Sequence, residues 1–190
     1  MTDPPMASTP HQTIGPFYAV MLPLGSNEIV PERSDGAIRF EGVVYDGGGS
    51  PVTDAVIEIW QANAAGRYAH AEDTRDLPLD AGFSGWGRTS TDADGRFAFR
   101  TVKPGRVPFI DERLQAPHIS VTIFARGLLR HLHTRLYFPD EAAANAVDPV
   151  LLSIADEAHR QTLVARPLDD GTLRFDIHLR GEHETVFFDV

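Results

Sequence analysis

The sequence predicts an all-β fold: an antiparallel β-sandwich with long loops, an N-terminal arm and one or two short helices. Three observations lead there. Short runs of β-branched and aromatic residues recur along the chain, Asp- and Gly-rich turns punctuate them, and helical patterning is confined to residues 140–161. Short strands separated by turn signals at near-regular intervals are the pattern of a sandwich or barrel.

Residues 1–36 are rich in Pro, Gly and polar side chains, with one short apolar stretch at 19–24, and read as an arm that docks on a partner. Inside it lies Thr13-Ile14-Gly15-Pro16-Phe17-Tyr18, where Gly-Pro favours a fixed turn over a helix. Residues 37–190 then form the sandwich domain. Strands are expected at 38–45, 55–61, 96–102, 118–125, 130–138, 162–165, 173–179 and 185–188. Asp46-Gly47-Gly48-Gly49, Asp92-Ala93-Asp94-Gly95 and Asp169-Asp170-Gly171 supply tight connections. Leu173, Phe175, Ile177 and Leu179 alternate with Arg174, Asp176, His178 and Arg180, which gives that strand one buried and one wet face. Helices are expected at 140–146, opened by Pro139, and at 149–161. Two long turn-rich stretches, 63–91 and 104–117, interrupt the strands, and loops of that length in a compact domain are functional or interface-forming more often than not.

With 190 residues and 42% hydrophobic content the chain is long enough to bury a sizeable core. It contains no cysteine, which excludes disulfides, zinc ribbons, iron-sulfur clusters and thiol nucleophiles together. Lys and Arg number 17 against 27 Asp and Glu, a net charge of −10, and no basic cluster tracks a phosphate backbone, so nucleic acid is not an expected partner. An acidic chain still binds an anionic small molecule where one well-placed Arg acts in a pocket of low dielectric. No apolar run reaches the roughly 18 residues of a membrane span, and Met1-Thr2-Asp3-Pro4-Pro5 lacks the features of a signal peptide. The expectation is a cytoplasmic protein without a membrane partner.

Several motifs have plainer readings. His131-Leu132-His133 places two imidazoles on one face of a strand, but Arg130 and Arg135 flank the pair with positive charge and no third ligand is near in sequence. Asp92-Ala93-Asp94-Gly95 starts like a calcium loop yet lacks the later carboxylates, which leaves a hairpin turn. No Gly-x-Ser-x-Gly, His-Glu-x-x-His or phosphate-cradling loop is present. Arg126, at the end of the 118–125 strand and followed by Gly127, is the cation singled out: a guanidinium there either holds a carboxylate through two parallel hydrogen bonds or forms a structural ion pair.

Taken together, Thr13-Ile14-Gly15-Pro16, Glu58-Ile59-Trp60-Gln61-Ala62-Asn63, Gly66-Arg67-Tyr68, Phe83-Ser84-Gly85-Trp86-Gly87-Arg88, Phe99-Arg100-Thr101-Val102-Lys103-Pro104-Gly105, Pro117-His118-Ile119 and Leu136-Tyr137-Phe138 resemble the intradiol ring-cleavage dioxygenases of the protocatechuate 3,4-dioxygenase family. The resemblance runs through nearly the whole chain in order. His131 to Phe138 and the ending Gly181 to Asp189 are most similar to the alpha chains of that family. The resemblance implies the intradiol type of sandwich and a reaction in which 3,4-dihydroxybenzoate is cleaved by O2 to 3-carboxy-cis,cis-muconate.

The family's iron-bearing beta chains hold Fe(III) with two tyrosinates and two histidines, hard anionic oxygens that suit a hard cation. Laid on that pattern, the tyrosine positions fall at Arg75 and Val107 and the histidine positions at His118 and Ser120. The resemblance therefore implies a vestigial site with no metal and no catalytic residue of its own, and Fe(III) held by a homologous beta subunit in a higher-order alpha-beta oligomer. It also implies that Thr13, Gly15, Pro16 and Phe17 line the substrate cavity and that Arg126 binds the carboxylate of a small aromatic acid. Two other readings stay open at this point. One is a non-catalytic transthyretin-like binding module, suggested by Phe40 to Gly47 followed by Thr91 to Phe97. The other is a metal site built from His118, His131 and His133.

Overall fold

Leu22 and residues 25–189 are described by the computed structural model, which folds them into two facing sheets. In chain order the strands are β1 (Ala37–Tyr45), β2 (Val56–Trp60), β3 (Trp86–Ser90), β4 (Arg96–Val102), β5 (His118–Phe124), β6 (Leu132–Tyr137), β7 (Arg166–Pro167), β8 (Leu173–Arg174) and β9 (Ile177–His178). One sheet runs β4-β1-β8-β7, with β9 also paired to β1, and the other runs β3-β2-β5-β6. Alternation puts Ile57, Ile59, Ile119, Val121, Ile123 and Leu136 on the inner face of the second sheet, where they meet Phe40, Phe97 and Phe99 of the first. Phe40 and Phe99 stack with centroids 5.3 Å apart. Each such fully buried side chain stabilises the sandwich by about 1.5–3 kcal/mol. Ile29 and Val30, ahead of β1, are buried in the same core, and Ile29 N donates to Arg100 O at 2.8 Å.

The sheets are antiparallel except where the chain returns to β1: both β8 and β9 pair with it in parallel. Gly42 permits that approach, because a Cβ there would lie 1.8 Å from Phe175 O. The strand expected at 173–179 is broken in the middle. Phe175 N donates to Glu41 O, but Val43 N donates to the Asp176 carboxylate at 2.9 Å, so a side chain takes the place of a ladder carbonyl. Its buried face is nonetheless as expected, with Phe175 and Ile177 inside.

Other expected strands shrink for related reasons. Residues 162–165 turn off the end of a helix, and only Val164 bridges to Tyr137, while Leu163 is buried beneath the helical segment. At 185–188 one bridge, His133 to Phe188, remains. Side-chain hydroxyls do the rest: Thr134 donates to Val186 O at 2.8 Å and Thr185 accepts from His178 N at 3.0 Å. The helical segment is a 3-10 turn (Pro139–Glu141), α1 (Ala142–Asn145), α2 (Pro149–Ser153) and α3 (Glu157–Gln161). The single helix expected at 149–161 is thus two, because Ile154 is extended and Asp156 caps a new start through Ala158 N. β3 lies inside the stretch expected to be loop; it is a polar strand held by its register with β2 and by Arg88 Nε donating to Glu58 Oε1 at 2.6 Å.

Candidate functional site

The even positions of β5 point away from the core, and with them the second sheet presents a polar outer face. Pairing sets its rows: Trp86, Trp60, Ser120 and Arg135 lie side by side, with His118 opposite Tyr137 one step along. Two loops fold over this end of the sheet. In the first, Tyr68 stacks on Trp60 with centroids 5.7 Å apart and planes 9° from parallel. In the second, Gln115 accepts from Arg135 Nη1 at 2.7 Å. The loops are held together where Gly105 N donates to Asn63 O at 2.8 Å, and Gly66 sits at φ +80° where a Cβ would be 2.4 Å from Arg106 O.

This arrangement brings the four implied ligand positions to one region, and none of the side chains except His118 is a metal donor of the expected kind. Arg75 is locked to Asp73, Nε to Oδ1 at 2.8 Å and Nη2 to Oδ2 at 2.6 Å, and Nη2 also donates to Gly66 O. The Arg75 guanidinium holds the Asp73 carboxyl well below the usual carboxylate range. Val107 is buried, and its carbonyl accepts from Gln115 N. Ser120 lies between Trp60 and Arg135. His118 is 5% exposed, with Nδ1 2.8 Å from Ala116 O. Burial, aided by the Arg135 charge, lowers its pKa to about 4, so the ring is neutral. A site with one imidazole, a hydroxyl and two nearby guanidiniums does not fit a ferric ion, which needs anionic oxygen donors.

The residue that the sequence reading passed over is Arg135, taken there only as a flank of the His pair. Its Nη1 donates to Gln115 and, at 3.3 Å, to the Tyr137 hydroxyl. Tyr137 in turn donates to Asp148 Oδ1 at 3.2 Å. Asp148, fully buried, caps α2 by accepting from Val150 N and Leu151 N, and accepts from Ala116 N at 2.7 Å just ahead of His118. Burial raises the Tyr137 and Tyr68 pKa values, keeping both phenols neutral. The only sequence signal for Arg135 was its parity with Tyr137 on the polar face of β6.

The remaining candidates lie elsewhere. Arg126 follows the far end of β5, with its side chain 65% exposed and Nε 3.0 Å from Asp54 Oδ2. His131 and His133 are edge-to-face at 4.8 Å, and His133 Nδ1 is 3.1 Å from Thr122 Oγ1. His133 pairs with Thr122, four residues along β5 from His118. At about 3.3 Å per residue the pair is about 13 Å from His118, too far to share one metal. Among the described residues no group of three or more His, Asp or Glu is placed to hold a metal ion. Thr13, Gly15, Pro16 and Phe17 lie outside the described residues. Among the described residues no helix is long and apolar enough to cross a membrane.

The family model described as Dioxygenase matches residues 15–181. A protocatechuate 3,4-dioxygenase alpha chain from Burkholderia cepacia is 44% identical over 97% of this chain and 98% of its own length. The alpha chain from Pseudomonas putida is 43% identical over 97% of each. A protocatechuate 3,4-dioxygenase beta chain from Burkholderia cepacia is 41% identical over 76% of this chain and 64% of its own. Among solved structures, the dioxygenase domain of a dioxygenase carbohydrate-binding protein fusion from Streptomyces sp. SirexAA-E superposes with a TM-score of 0.57 at 28% identity, covering 82% of this chain and 88% of that one. A match that spans both long loops sets aside the transthyretin-like module, which would account for the strands alone.

Proposed function

We propose that this chain, which belongs to the intradiol ring-cleavage dioxygenase family, is the iron-free alpha subunit of a protocatechuate 3,4-dioxygenase. Its partner is a homologous beta subunit that holds Fe(III), in a higher-order alpha-beta oligomer in the cytoplasm. The observation that carries this reading is the Arg75–Asp73 pair at a position where an iron-bearing chain needs a tyrosinate. Replacing a metal ligand by a paired cation makes the loop self-sufficient, and the metal is no longer needed to hold it.

In the assembled enzyme the iron supplies activation of the bound catechol toward oxygen. This chain supplies walls and recognition. Of the arm, residues 1–36, the part ahead of the core-packed Ile29 and Val30 reaches the partner, and Thr13, Gly15, Pro16 and Phe17 line the cavity. Arg126 takes the carboxylate of 3,4-dihydroxybenzoate, exchanging Asp54 for the ligand; its exposure and its place at a strand end support that role. Phe17 contributes area but no hydroxyl. The product of the shared site is 3-carboxy-cis,cis-muconate.

Iron content and visible absorption test the proposal. The chain purified alone is expected to be colourless and iron-free, whereas the complex obtained with a co-expressed beta chain carries iron, a tyrosinate-to-iron band and activity. Stoichiometric iron in the isolated chain would overturn the assignment of Arg75, Val107 and Ser120 to lost ligand positions.

A further inference from the structure

We infer that the side-chain cluster around Arg135, on the outer face of the second sheet, is a binding site for a small planar carboxylate. The guanidinium is anchored through one of its nitrogens. Nη1 is engaged by Gln115 and Tyr137, and Cζ lies 6.0 Å from the centroid of the Phe188 ring. The Nε–Nη2 edge, the side of the fork with two parallel N–H groups, makes no hydrogen bond among the described residues. That edge matches a carboxylate in the bidentate geometry that gives the stronger charge-assisted pairs.

The neighbours are arranged for an anion with a flat body. Ser120 is adjacent to Arg135 across the β5–β6 pair, and neither its hydroxyl nor that of Tyr68 is hydrogen-bonded among the described residues. The Tyr68 phenol stays protonated and so remains a donor, whereas the Tyr137 O–H is committed to Asp148. The Trp60–Tyr68 stack stands one strand over, a flat aromatic wall beside the cation. The carboxylates nearby are already committed: Asp73 to Arg75, and Asp148 to three backbone N–H groups and Tyr137. Arg135 thus has positive charge, a pre-set fork and no ion-pair partner within 4.0 Å among the described residues, in a chain of net charge −10. A half-buried cation held in this way binds an anion more strongly than an exposed one, because local dielectric outweighs the distant field. The site is separate from Arg126, which lies past the other end of β5.

The test is a 19F NMR titration of the full-length chain with 4-fluorobenzoate. One site per chain is expected, with 4-fluorobenzamide, the neutral molecule of the same shape, binding at least tenfold more weakly. Arg135→Gln should weaken 4-fluorobenzoate binding at least tenfold, whereas Arg39→Gln, which alters an exposed cation on the other sheet, leaves it within twofold. Circular dichroism shows whether Arg135→Gln is folded; should it not be, Tyr68→Phe and Ser120→Ala, which remove one donor each, are expected to weaken binding three- to tenfold. Binding unaffected by these substitutions, equal binding of the amide, or tighter binding of inorganic phosphate overturns the carboxylate site. Binding lost in Arg126→Ala alone would move the carboxylate to the far end of the strand, overturning this site while supporting the role proposed for Arg126.

Discussion

The two ends of β5 are built in opposite ways. At its start, His118 is neutral and buried, its ring next to Tyr137, and the segment entering it is tied to Asp148 through Ala116 N. Just past its end, Arg126 extends into solvent beside Asp54. One strand thus carries a loop-covered polar cluster at one end and an accessible cation at the other. What differs is the covering: the loops that carry Tyr68, Arg75 and Gln115 close over the first end and satisfy part of its polar groups, leaving one edge of Arg135 open. Hydrogen bonds and ion pairs hold those loops in place. The exposed end contributes little to stability.

The comparison is broken most severely at Asp148. Asp148→Ala leaves three N–H groups and the Tyr137 O–H without an acceptor, and is expected to cost about 3–4 kcal/mol. Denaturant unfolding should show a lower midpoint at unchanged slope.

Acid should probe the same end next. His118 in the native chain resists protonation down to about pH 4, whereas in the unfolded chain it takes up a proton near pH 6.5. The unfolded state then binds more protons, so stability is full above about pH 6.5 and falls as pH drops toward 4, by up to about 3 kcal/mol. Below the usual carboxylate range the depressed Asp73 adds a loss of the same sign. Unfolding curves of His118→Gln between pH 7 and 4 should be flatter than those of the unaltered chain.

Arg75→Ala strands Asp73, whose side chain is 7% exposed, and releases Gly66 O. A loss of about 1–2 kcal/mol is expected, with faster proteolysis within residues 63–85 as the specific readout. Arg126→Ala, at the other end, should change stability by no more than about 0.5 kcal/mol. In the assembled enzyme, the same substitution should raise KM for protocatechuate about tenfold with kcat within twofold. An unchanged KM would remove Arg126 from carboxylate recognition, and a large loss of stability would erase the contrast between the ends.

The sequence by itself determined the strands that read locally. The β-branched and aromatic runs at 38–45, 96–102 and 118–125 and the Asp–Gly turns specify extended runs and reversals without reference to anything distant. Only tertiary structure decided the rest. β3 is a strand because β2 pairs with it, not because Trp-Gly-Arg-Thr-Ser favours one. The 173–179 run breaks because Asp176 meets Val43 across the sheet, and 149–161 divides where Asp156 begins a second cap. His118 and His133 share a face yet lie a strand's length apart, a matter of register. Arg135 stands beside Ser120, Gln115 and Tyr68 only after β5, β6 and two loops separated by dozens of residues have met. Conformation follows from neighbours in the chain, but a site is made of neighbours in space, and these are set by strand pairing and burial of the common core.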